Sequence, residues 1–276
     1  MTAIYLCFDD GALALARACL NSLACNAPGH PPLLVDYRGR DAGMLRLLAA
    51  RGATCLPPAA PPEFTAHLRV SRGRDCARHR FGLWRRAFDG YGTILHLDAD
   101  MLVLGPLDRP LAAETPFFVA NHEADPAVRI LAPQFRDDAV LNTLLAEDGL
   151  AYPDGPDDMA NAGLFALPPA WRSRAHLALL ARLAQRYAPY LAYADQSLLS
   201  LWLLVQGLRP SGAFAYNFQT PFLTDPTVGV GWGDIRVLHF SSPRKPDTGA
   251  FARWDRAGPD RARIAALFCR YRDMEP

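Results

Sequence analysis

The stretch from Thr93 to Leu107, TILHLDADMLVLGPL, decides the fold. Ile94 to Leu97 reads as a buried strand that runs straight into two carboxylates, Asp98 and Asp100, with one residue between them. The chain then returns at once to four apolar residues, Met101 to Leu104. Two like charges at the end of a core strand repel, and burial raises the pKa of at least one. Either cations of the protein neutralise them, or they face a cleft that admits one.

Working outward, the chain alternates strands and helices. AIYLCF, residues 3–8, is a continuous apolar run that suits a strand covered on both faces. DDG follows as a turn, and ALALARACLNSLACN places Leu13, Ala16, Leu20 and Leu23 on one helical face. PLLVDYRG repeats the strand signal, and DAGMLRLLAARG predicts a helix ending at Gly52. ATCL is a third strand before a proline-rich loop at 57–62, and residues 75–90, DCARHRFGLWRRAFDG, predict a helix. Downstream, TPFFVA and NAGLFAL read as strands flanking a polar segment from about 121 to 160. AWRSRAHLALLARLAQRYA and YADQSLLSLWLLVQG read as helices and IRVLHF as a late strand. With no internal repeat and no linker, residues 1–276 form a single α/β domain, its central and mostly parallel sheet flanked by helices.

Composition narrows the function. The 29 basic and 28 acidic side chains leave a net charge of +1, so no global field recruits nucleic acid. Cys7, Cys19, Cys25, Cys55, Cys76 and Cys269 form no C-x-x-C pair and no cluster with histidine. The start, MTAIYLCFDDG, lacks a basic leader, and Asp9 and Asp10 break its apolar run. No apolar run approaches the roughly 18 residues of a membrane span. A reduced, cytoplasmic protein with thiols as small core residues is expected. The C-terminal DRARIAALFCRYRDMEP reads as a surface-packed helix, with peripheral membrane contact through Ile264, Leu267 and Phe268 as the other reading.

In open α/β sheets, ligands bind beyond the carboxyl ends of strands, where Asp98 and Asp100 lie. With one residue between them, two aspartates in extended backbone point to one side. Hard oxygen ligands on one face suit Mg²⁺ or Mn²⁺, ions that also share a diphosphate. His239, closing the late strand, can approach the same sheet edge, and Lys245 follows six residues later. Lys245 and Arg80 are cations that could meet diphosphate oxygens, or solvated charges. Asn161 and Gly163 fit simple turn chemistry, and Asp195 fits a helix N-cap. Asp157 and Asp158 read as exposed loop acids near an acceptor, and the aromatics of GAFAYNFQTPFL as acceptor-site or core residues. Haloacid-dehalogenase-like phosphatases also end a strand with D-x-D. Their motif lies on the first core strand and continues with Thr or Val, whereas here Leu102 holds that place and a complete strand–helix unit precedes it.

Five ordered blocks resemble the retaining glycosyltransferases of family 8, which include glycogenin and bacterial galactosyl- and glucosyltransferases. They are AIYLCFDDGALALARACLNSL, RFGLWRRAFDGYGTILHLDADMLVLGPLDRPL, NAGLFALPPAWR, ADQSLLSLW and VLHFSSPRKPD. The last is similar to the family's H-x-x-G-x-x-K-P-W, with Ser242 in place of glycine and Asp247 in place of tryptophan. After Asp9 and Asp10, Gly11 and Ala12 stand where the family often has Asn and Tyr. The resemblance implies a GT-A-type, Rossmann-like fold, with a nucleotide-binding half at about 1–105 and an acceptor-side half at about 106–276. It implies Asp98, Asp100 and His239 as ligands of Mn²⁺ or Mg²⁺. Asp9, Asp10, Arg80, Asn161, Gly163 and Lys245 would bind a nucleotide diphosphate sugar, UDP-glucose or UDP-galactose. Asp195 would hold sugar hydroxyls, with Gln196 beneath the anomeric carbon. The acceptor would be a glycan, a protein or a small molecule. A non-catalytic nucleotide-sugar binder on the same fold is the alternative.

Overall fold

A computed structural model describes residues 1–57, 62–68, 76–122, 138–151, 159–241, 245–246, 248, 251 and 260–275. Asp157, Asp158, Ser242 and Asp247 lie outside the described residues. Two strand–helix units open the chain: β1 (Ala3–Phe8), the helix Leu13–Asn26, β2 (Leu33–Tyr37), the helix Ala42–Ala50 and the short β3 (Thr54–Cys55). The chain then crosses to the other side of β1 as β4 (Ile94–Leu97) and makes β5 (Met101–Val103), β6 (Phe117–Ala120) and β7 (Ala160–Leu167). β8 (Phe218–Gln219) and β9 (Val237–His239) complete the described strands.

The main sheet has the order β3-β2-β1-β4-β7-β6. β1 to β4 run parallel, while β7 is antiparallel to both β4 and β6, so the sheet is mixed with a parallel half. All six residues of β1 are buried. Ile4, Leu6 and Phe8 pack into a core with the helices Leu13–Asn26 and Ala42–Ala50, whereas Ala3, Tyr5 and Cys7 enter the core on the opposite face. This two-sided cover explains why the strand has no polar alternation.

Strand order reverses between β1 and β4, and the loops after those two strands open one crevice, as the topology requires. Asp9 and Asp10 follow β1, and Asp98 and Asp100 follow β4.

A second sheet of three strands, β5-β9-β8, was not anticipated. Its strands are too short to carry a periodic signal. It pairs Met101 with His239 and Gln219 with His239, and Phe240 N–H donates to the Asp100 carbonyl at 3.0 Å. This small sheet is what brings position 239 beside position 100.

Three expectations need correction. Residues 75–90 are not one helix: a single α-turn, Cys76–His79, leads into 3₁₀ turns at Arg80–Trp84 and Arg86–Phe88. All five residues from Arg80 to Trp84 are buried, which a regular helix at a sheet surface does not allow, and the extended backbone of Arg85 separates the turns. Of the described thiols only Cys7 and Cys19 are buried; Cys25, Cys55 and Cys269 are exposed. At the C-terminus, Ile264 and Phe268 of the helix Asp260–Arg272 are 0% and 1% exposed, so they serve the core. Asn21 Nδ2 clamps that helix by donating to the Tyr271 carbonyl at 2.7 Å. No helix among the described residues is long and apolar enough to cross a membrane.

Candidate active site

Asp98 directly follows β4, and Asp100 lies in the two-residue turn that leads into β5. Both carboxylates stay partly exposed at the carboxyl edge of the sheet, and protein cations also contact them. Arg80 Nη2 donates to Asp98 Oδ1 at 2.8 Å and Nη1 to Asp195 Oδ2 at 2.8 Å. Its Nη1 also donates to the Ala162 carbonyl at 2.7 Å. His96 Nε2 reaches Asp98 Oδ1 at 2.9 Å. Lys245 Nζ donates to Asp100 Oδ2 and to the Phe240 carbonyl. His239 Nε2 lies 3.4 Å from Asp100 Oδ1.

Electrostatics follow from these contacts. Burial pushes the Asp98 carboxyl up, but Arg80 and His96 outweigh it, and the net shift is downward. Burial also opposes ionisation of Asp100, and there His239 and Lys245 win, holding the carboxyl well below the usual range. Asp195 goes the other way: burial lifts its pKa against the pull of Arg80, and neighbouring Asp98 adds to the rise. Burial lowers the pKa of His96, so the neutral ring donates Nε2–H to Asp98.

One oxygen or nitrogen from each of Asp98, Asp100 and His239 lies within 4.8 Å of the others. Two carboxylates with one imidazole fit a divalent ion of the Mn²⁺ type, because the nitrogen ligand is less suited to Mg²⁺.

β7 supplies the opposite wall. Asn161 Oδ1 accepts from Gly163 N–H at 2.9 Å, and Gly163's carbonyl accepts from Asp98 N–H at 2.8 Å. Gly163 has a packing reason to lack a side chain: a Cβ there would overlap the His239 ring and lie 2.7 Å from Met101 Cε. Gly163→Ala should therefore displace His239 and destabilise the fold by about 1–3 kcal/mol, the usual cost of overpacking. Urea unfolding and Mn²⁺ titration check this; unchanged values in both would show that the ring has room to move.

Asp195 is not an N-cap. It lies inside the first turn of the helix Ala194–Val205, whose cap position, Tyr193, makes no side-chain capping bond. The preceding Ala194 has φ +41°, an unusual conformation for a residue with a side chain. Gln196 Oε1 accepts from Ala162 N–H at 3.2 Å. The Ala162 peptide thus joins Arg80 on one side and Gln196 on the other.

Beyond β1, Asp9 accepts from Gly11 N–H, and Asp10 accepts from the Tyr37 hydroxyl and from Arg40 N–H at 3.1 Å. Both organise the loop beyond β1. Residues absent from the sequence-based site are His96, which holds Asp98, and Asn217, which holds His239 Nδ1 at 2.8 Å.

No protein-family model matches the chain, and no curated protein matches it in sequence. Solved structures do. The galactosyltransferase LgtC in complex with donor and acceptor sugar analogues matches with TM-score 0.66 at 18% identity, over 99% of this chain and 97% of that one. The apo form of WbbM, a bifunctional glycosyltransferase, matches with TM-score 0.63 at 13% identity, over 100% of this chain and 50% of that one. Mouse xyloside xylosyltransferase 1 matches with TM-score 0.54 at 14% identity, over 87% of this chain and 98% of that one. The chain has the mixed α/β fold of these glycosyltransferases, the GT-A arrangement.

Proposed function

We propose that the protein is a retaining, metal-dependent hexosyltransferase that uses a nucleotide diphosphate sugar, UDP-glucose or UDP-galactose. The observation that carries this reading is the convergence of Asp98, Asp100, His239 and Lys245 at the carboxyl edge of the sheet. The likeness of fold to LgtC, whose structure holds donor and acceptor sugar analogues, supports it. A protein that only bound sugar would have no need of a cation poised for a leaving group.

Asp98, Asp100 and His239 would hold Mn²⁺, which when bound supplies Lewis-acid stabilisation of the leaving diphosphate. Asp9 and Asp10 shape the loop for the nucleotide. Lys245 can exchange Asp100 for a phosphate oxygen and donate to the charge that develops there. Asp195, fixed by Arg80, accepts from sugar hydroxyls, with Asn161 and Gly163 forming the wall beside it. Gln196 presents a neutral amide oxygen near the reacting carbon. It is a poor nucleophile but able to stabilise positive charge, which favours transfer on the same face of the sugar. The acceptor is a glycan, a protein or a small molecule.

The test is thermal unfolding with a panel of nucleotide sugars, with Mn²⁺ and with chelator, followed by assay of nucleotide release. A ligand at a hundred times its Kd should add about 2.7 kcal/mol of stability. If no nucleotide sugar stabilises the protein with Mn²⁺ more than with chelator, the reading fails. Stabilisation without turnover on any acceptor would favour the sugar-binding alternative. Lys245→Ala should lower turnover at saturating donor roughly a hundredfold; an unchanged rate would return Lys245 to a surface charge.

A further inference from the structure

Asn217 is fully buried and lies 56 residues from Asn161 and 22 from His239 in sequence. Its Nδ2 donates to Asn161 Oδ1 at 3.0 Å, and its Oδ1 lies 2.8 Å from His239 Nδ1. The direction of every bond in this chain follows from one group whose role admits no choice. The Gly163 backbone N–H is an obligate donor, so the Asn161 atom 2.9 Å from it is the amide oxygen. Asn217 must then present its NH₂ to that oxygen, which leaves its own oxygen facing His239. An amide oxygen only accepts, so the proton of the neutral imidazole sits on Nδ1. When the ring is neutral, the form able to ligate a metal, its open lone pair is therefore on Nε2, the nitrogen 3.4 Å from Asp100 Oδ1, whereas the charged ring that draws Asp100 down carries a hydrogen on both nitrogens.

From this we infer that Asn217 is a positioning residue for His239. It selects the ring tautomer and aims Nε2 at the space shared with Asp98 and Asp100, and it receives its own orientation from β7 through Asn161 and Gly163. The inference rests on the metal-site reading above. Metal-bound histidines commonly donate their other N–H to a fixed acceptor, and loss of that acceptor weakens metal binding about 10- to 100-fold.

Two measurements test it. Nitrogen-15 NMR of the unmodified, metal-free protein at about pH 9, above the ordinary histidine pKa, should show His239 protonated on Nδ1. The signal is assigned by its loss in His239→Gln. Asn217→Ala, shown to be folded by its unfolding transition, should lose the fixed tautomer and bind Mn²⁺ about 10- to 100-fold more weakly by calorimetry, with Asp98 and Asp100 intact. An Nε2–H tautomer in the unmodified protein would overturn the inference, as would undiminished Mn²⁺ affinity in folded Asn217→Ala. Failure of the unmodified protein to bind Mn²⁺ at all would remove the metal reading instead, and the tautomer experiment separates the two because it needs no metal.

Discussion

Replacing Asp100 with asparagine is expected to abolish Mn²⁺-dependent nucleotide binding while leaving the fold in place. Asp100 is the point where three groups of the site meet, since its carboxylate faces His239 and Lys245 and its carbonyl holds Phe240. Asparagine keeps the shape and the backbone bond but removes the anionic oxygen a hard divalent ion requires. Even outer-shell partners of a metal are worth about 10- to 100-fold, so loss of a direct ligand should exceed a hundredfold in Mn²⁺ affinity. Lys245, partly exposed, can turn to solvent, so global stability should change little. UDP titration with Mn²⁺ and with chelator measures the effect. If the unmodified protein binds UDP as tightly in chelator as in Mn²⁺, the assignment of Asp100 to a metal site is wrong.

Arg80→Met should produce the largest loss of stability among single changes at the site. Arg80 is 8% exposed and is the cation shared by Asp98 and Asp195. Without it buried Asp195 and half-buried Asp98 remain near each other, and removing one partner of a buried ion pair typically costs about 3–5 kcal/mol. Lysine would not restore the site, because one ammonium lacks the forked geometry that spans both acids. The loss should depend on pH. Asp195 already has a raised pKa, so the folded state holds its proton more tightly than the unfolded chain does. Stability therefore falls as pH rises from the unfolded value, about 3.9, through the folded one. Removing Arg80 raises the folded value further and widens that window. Urea midpoints should consequently separate the variant from its parent more at about pH 8 than at about pH 5, by the same linkage. Equal separation at both would mean that lost packing, rather than stranded charge, causes the effect.

The parallel half of the sheet was legible in the sequence because it is repetitive and local. β1, β2 and the helices behind them are apolar runs or amphipathic stretches, and the aspartates after β4 stand out against them. Of the small sheet only β9 was legible, within the late strand IRVLHF; its pairing with β5 and β8 was not, since β8 has two residues and β5 three. The site divides the same way. Asp98, Asp100 and His239 carry metal-ligand chemistry in their side chains, and the structure brings them together. Asn217, in the apolar run AYNFQ, has meaning only through partners at positions 161 and 239. His96 looked like part of a buried strand and is, yet its ring nitrogen reaches forward two residues to Asp98. Gly163 could be recognised as a close-approach glycine, but the group that approaches, His239, is set by the long-range pairing of β5 with β9.

The Ala162 peptide, held by Arg80 from one side and by Gln196 from the other, has a kinetic consequence. These bonds close loops of 82 and 34 residues, and the contact of Lys245 with Asp100 closes one of 145. Each closure is entropically uphill until the strand it anchors is in place. Docking β7 against β4 thus completes the antiparallel half of the sheet and the candidate site in one event, late in folding, when distant segments finally meet. A chain folding as it emerges from the ribosome could lay down β1 to β4 early and would carry its clustered acids without the cations of its second half until residues near 245 had appeared. For that interval Arg80 already answers Asp98, while Asp100 lacks both side chains, His239 and Lys245, that face its carboxylate.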